Sequence, residues 1–83
     1  MTEPASETKP ARYSAEWIRE VIGYHQPDEV AIIRIGNIRQ AAGDFIEEII
    51  RSCPDCADRA DAIRLAREAM MTANASIVLK GLV

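Results

Sequence analysis

Between Asp28 and Ser52 the chain runs without a proline, and its apolar side chains are more numerous than a single neighbouring helix can cover. Apolar residues recur at positions 35, 38, 42, 45 and 49, the alternating three- and four-residue spacing of a heptad seam. The β-branched residues Ile32, Ile33 and Ile35 suggest a strand, but the alternation stops after them and the pattern runs too long. A helix is therefore predicted. At about 100° per residue, Ala41, Phe45, Ile38, Ile49, Ala42, Ile35, Ile46, Ile32 and Ile50 spread over roughly half its circumference. One helical partner leaves much of that arc open to water, so the arc predicts a homo-oligomer.

Size points the same way. The chain has 83 residues, and a core of that size contributes only about 3–5 kcal/mol, so a further staple is expected. A disulfide is not the staple expected: no apolar signal segment opens the chain, which predicts a cytoplasmic and reducing setting for its two cysteines. No run reaches the apolar length of a membrane span. Ten Lys and Arg against thirteen Asp and Glu leave a net charge of −3. That balance argues against binding a DNA or RNA polymer, where cations must displace counterions from phosphates. Four aromatic residues are too few for an extended base-stacking platform.

Residues 1–13 lack periodicity, carry Pro4 and Pro10, and read as a flexible arm; residues 14–83 form the domain. Ser14 is a good N-cap for a short helix through Trp17, Ile18, Val21 and Ile22, with Gly23 as its stop. Pro27 suits the first position of the next helix, with Asp28 and Glu29 at its positive end. Cys53-Pro54-Asp55-Cys56 breaks the chain, with Asp55 or Asp58 able to cap a third helix. A second seam then appears at 63, 66, 70, 73 and 77, beside a small-residue stripe of Ala62, Ala66, Ala69, Ala73 and Ser76, and closes at Lys80-Gly81. The fold class expected is all-α, a short N-terminal helix followed by a long antiparallel helical hairpin.

Nothing in this chain assembles an active site, so no catalytic residue, metal or cofactor is expected. The CxxC of Cys53 and Cys56 lacks the βαβ setting of a redox motif and the second ligand pair of a zinc site. His25, the one histidine, has no nucleophile arranged around it; general-base catalysis is unsupported, and a turn histidine is more often a hydrogen-bonding or stacking residue. Arg39 is different. It lies inside the apolar arc, with Gly36 three residues before it and Gly43 four after. Glycines inside a helix cost about 0.5–1 kcal/mol each relative to alanine, so two beside one arginine suggest that space is being kept open. Its planar donor fork suits a phosphate or carboxylate; alternatively it snorkels, or pairs with an acid of another copy. Arg67 and Asn74, seven apart on the last helix, either line a pocket at an oligomer interface or belong to a rim salt bridge with an i,i+4 acid. Tyr24 is the ring best placed to stack on a nucleobase, or simply caps the hairpin.

Taken in order, Gly23-Tyr24-His25-x-Pro27, Ile38-Arg39-x-Ala41-Ala42-x-x-Phe45, Cys53-Pro54, and Ala62-Ile63-x-x-Ala66-Arg67-Glu68-Ala69-Met70-Met71-x-Ala73-Asn74-Ala75-x-Ile77 resemble the small phage-encoded hairpin proteins of the anti-CBASS and anti-Thoeris nucleotide-sponge family. The resemblance covers residues 14 to 80. It implies a non-enzymatic decoy in the host cytoplasm that sequesters cyclic di- or trinucleotides or cyclic ADP-ribose isomers, built as a homohexamer with pockets between protomers. By resemblance the base-stacking tyrosine falls on Tyr24 and the phosphate-binding cation on Arg39. A second arginine, used by some members for cyclic trinucleotides, falls on Arg67, although the hydroxyl-bearing partner position of those members is Ala41 here. The ligand-binding set expected is Tyr24, His25, Arg39, Gly43, Arg67 and Asn74. A rival reading, a helical adaptor that takes a partner helix on its apolar stripe, accounts for the same seam without Arg39.

Overall fold

The computed structural model describes residues 9–82, which form three α-helices and, among those residues, no strand. The first, α1, spans Ala15–Ile22, and the Ser14 hydroxyl accepts a 3.1 Å hydrogen bond from the Trp17 amide at its start, as a capping serine should. The long helices are α2, Glu29–Ser52, and α3, Ala57–Val78. They pack antiparallel through the turn at Cys53–Cys56, and only this pair of helices packs closely backbone to backbone. Most of the expected arm lies outside the described residues. From its end, the Lys9 ammonium donates to the Gly81 carbonyl at 2.8 Å.

Several boundaries differ from expectation, each for a local reason. Asp28, not Pro27, sits at the start of α2 as its cap: its carboxylate accepts from the Ala31 amide at 2.8 Å, and Pro27 lies one residue before that cap. Gly23 ends α1 in extended backbone (φ −74°) rather than in the left-handed form that stops helices with glycine. Its contribution is room, since a Cβ there would stand 2.9 Å from the Arg19 carbonyl oxygen. Neither Asp55 nor Asp58 caps α3; the cap position is Cys56, whose side chain makes no capping bond. Asp55 instead pairs with Arg59 at 3.2 Å. Beyond Val78 the chain closes through Lys80 and Gly81, the glycine at φ +77°, with its amide bonded back to the Ser76 carbonyl at 3.0 Å.

The interior is thin. Ala31, Ile49 and Ala66 are the buried apolar residues, and no described side chain is completely enclosed. Ile35, Ile38, Ala42 and Ile46 of α2 are half-buried against Ile63, Met70, Ala73 and Ile77 of α3. Phe45, expected in the seam, is 60% exposed. A straight helix has 3.6 residues per turn and rotates away from a strict 3.5 repeat, so Ile46 takes the facing position. Ala69 and Ser76 of the small-residue stripe likewise point outward.

Candidate functional site

The loop from Gly23 to Asp28 folds over the open end of the hairpin, and beneath it lies a cavity of about 390 Å³. Its walls are Val21 of α1, Gly23, Tyr24 and His25 of the loop, Ile35 and Arg39 of α2, and Met71, Asn74, Ala75, Val78 and Leu79 at the end of α3. Four residues singled out in the sequence, Tyr24, His25, Arg39 and Asn74, are thereby brought to one place from three segments of the chain. Helical spacing positions the last two: Arg39 lies one turn beyond Ile35, and Asn74 lies between Met71 and Val78 on one flank of α3.

Each polar group of the wall has a distinct state. Arg39 is exposed, forms no ion pair among the described residues, and is the one side chain of the wall bearing a permanent charge. Tyr24 projects from the loop, 85% exposed, and its hydroxyl donates to the Gln26 carboxamide oxygen at 2.8 Å. His25 is half-buried, with Nε2 against the Glu20 carbonyl, a contact in which the ring donates and which ties the loop to the end of α1. Asn74 is half-buried; its Oδ1 is sealed from solvent and has no hydrogen-bond partner. A shallow, largely apolar groove with one guanidinium and an exposed aromatic ring in its wall suits a flat, apolar-faced molecule carrying a phosphate.

Gly43 and Arg67 lie outside this cavity. Gly43 sits one turn beyond Arg39 and Arg67 two turns before Asn74, both displaced toward the Cys53–Cys56 turn. A Cβ added at Gly43, or at Gly36, would meet nothing within 4 Å, so neither glycine is demanded by packing inside this chain. Gln26 was not singled out from the sequence; a lone glutamine in a turn carries no signal of its partner. Nor were Val21, Val78 and Leu79, apolar residues whose type carries no sign of a site.

A larger cavity, about 550 Å³, opens on the other side of the loop between Pro27, Arg34, Ile77 and Lys80. It mixes Asp28 with Arg34 and Lys80 and contains none of the ligand-binding residues expected from the sequence. Cys53 and Cys56 are exposed free thiols at the opposite end of the molecule. Among the described residues no cluster of three or more His, Cys, Asp or Glu could hold a metal, and no helix is long and apolar enough to cross a membrane.

Comparison with protein families matches residues 16–78 to the Acb2/Tad1 hairpin domain, a span that runs from α1 to the last residue of α3. Comparison with the curated proteins and with the solved structures gives no match.

Proposed function

This chain belongs to the Acb2/Tad1 hairpin family, the phage anti-CBASS and anti-Thoeris cyclic-nucleotide sponges, and on that premise we propose that it sequesters a cyclic nucleotide immune messenger without transforming it. The observation that carries this reading is the convergence of Tyr24, Arg39 and Asn74 on one cavity whose only permanent charge is a guanidinium. Arg39 holds a phosphodiester through its planar fork, Tyr24 offers its ring to a base, and the apolar wall excludes water. No group of the wall is arranged to attack or activate the ligand, so binding itself is the activity.

A cyclic dinucleotide carries two phosphodiesters, whereas one copy of this cavity offers one cation. A second copy supplies the second, which supports a homo-oligomer, in this family reading a hexamer, with ligand between protomers. Gly43 and Arg67 then belong to surfaces that meet other copies, and Arg67 serves a cyclic trinucleotide there. Residues 14–83 are the sponge domain and residues 1–13 an arm.

Thermal melting against cyclic di- and trinucleotides and cyclic ADP-ribose isomers tests the proposal. A ligand at about 100 times its Kd stabilises by about 2.7 kcal/mol, a shift of several degrees for a chain this small. No shift with any of them favours the adaptor reading.

A further inference from the structure

We propose that Cys53 and Cys56 are one half of a structural zinc site, which two copies of this chain complete by meeting at the tips of their hairpins. Both thiols are free and exposed. They stand where the two long helices end, Cys53 as the C-cap of α2 and Cys56 as the N-cap of α3, and the Cys56 side chain makes no capping bond. Two residues separate them, the spacing at which one turn presents a pair of thiolates to a tetrahedral ion. The backbone is extended at both positions (φ −103° and −158°) and held by a helix on either side. Little chain entropy is therefore lost when a metal takes the pair.

One chain stops at two ligands. Among the described residues no group of three or more His, Cys, Asp or Glu is gathered anywhere. Asp55, the carboxylate inside the motif, is paired with Arg59 at 3.2 Å. The one histidine, His25, lies beyond the far end of α2, a helix about 36 Å long at 1.5 Å per residue. A structural zinc site closes with four ligands, so the missing pair has to come from another copy. At a hairpin tip two copies meet about a two-fold axis with their long helices pointing apart, and each offers the same two sulfurs to the shared ion. Four thiols release four protons to solvent on binding and no electron moves, so zinc(II) is taken up without oxidant or reductant. The cavity beneath the Gly23–Asp28 loop is at the opposite end of the hairpin and stays open.

The test uses the full chain, kept reduced and stripped of metal by a chelator, then titrated with cobalt(II) and afterwards with zinc(II). Cobalt is expected to saturate at one ion for every two chains, with the thiolate charge-transfer and tetrahedral ligand-field bands of a four-sulfur site, and zinc is expected to displace it. Because one chain holds two sulfurs, a four-sulfur spectrum shows that two copies share the ion. Cys53→Ser and Cys56→Ser should each abolish that spectrum while far-UV circular dichroism stays unchanged, and zinc should slow alkylation of both thiols in the parent. One ion per chain with a two-sulfur spectrum assigns the pair to a chelate within a single copy and overturns the inference. Absence of cobalt bands, or bands that survive in both serine variants, overturns it as well. None of these outcomes bears on the cyclic-nucleotide reading, which melting against those ligands tests separately.

Discussion

At the scale of single residues, the candidate site was legible in part where a polar side chain interrupted an apolar stripe at helical spacing, although Arg67, singled out in the same way, lies outside the cavity. Arg39 among isoleucines and Asn74 among methionine, alanine and valine are such interruptions, and both line the cavity. The sequence could not show what each polar atom bonds, so the Gln26 partner of Tyr24 and the sealed oxygen of Asn74 emerge only from the fold. Arg39→Ala removes a charge-assisted hydrogen bond worth about 1.5–3 kcal/mol and should weaken binding by roughly ten- to a hundredfold, with Arg39→Lys milder because the charge survives and the fork does not. Titration of both variants, alongside far-UV circular dichroism to confirm intact helices, checks this. The cap of α3 offers a prediction of opposite sign. Cys56 occupies the cap position without a capping bond, and serine there accepts from the first-turn amides. Cys56→Ser should raise stability by about 0.5–1 kcal/mol in urea melts and leave ligand binding unchanged.

At the scale of elements, existence and order were readable from periodicity, while edges and faces were not. All three helices lie where the apolar spacing placed them. Their ends were displaced by caps that depend on backbone geometry, as at Asp28 and Cys56. The face of α2 differs at Phe45 because an α-helix of 3.6 residues per turn drifts away from a strict heptad template. Gly43 tests the surroundings of this helix. Nothing in the chain lies within reach of a side chain added there, so Gly43→Leu should leave helicity intact or higher and lower the assembled mass seen by light scattering. An unchanged mass would show that the space is free. The last turn of α2 carries a pH signature. The Ser52 hydroxyl, and after it the Arg51 guanidinium, hold the Glu48 carboxyl below its usual range. A carboxyl lowered in the folded state contributes stability above its unfolded value, and that contribution disappears as pH falls through the folded one. Ser52→Ala should therefore cost a small amount of stability at neutral pH and progressively less as the carboxyl protonates in acid, which melts across that range would show.

For the whole molecule, the half-circumference arc foretold an open surface, and part of it is open: Phe45, Ile32 and Ile50 are exposed, while Ile49 is buried and Ile35, Ile38, Ala42 and Ile46 are half-buried. Outside the arc, Ile33 is 64% exposed and Ile22 78%, and Val30, Leu65 and Met71 are exposed as well. How those surfaces meet was not legible, because the spacing on one helix says nothing of the angle at which another copy approaches. A mass above that of a dimer is expected in light scattering; a monomer would remove the second phosphate-binding cation from the site.

The thin interior has a consequence for how this protein must be handled. With only Ala31, Ile49 and Ala66 buried among the described apolar residues, a solitary chain buries little apolar surface, and in the homo-oligomer proposed above association supplies the rest. Mass action then sets the melting temperature: it should climb with each tenfold increase in protein and fall on dilution. At sufficient dilution the subunits separate and unfold together, and an apparent Kd measured there reports assembly rather than capture of the messenger.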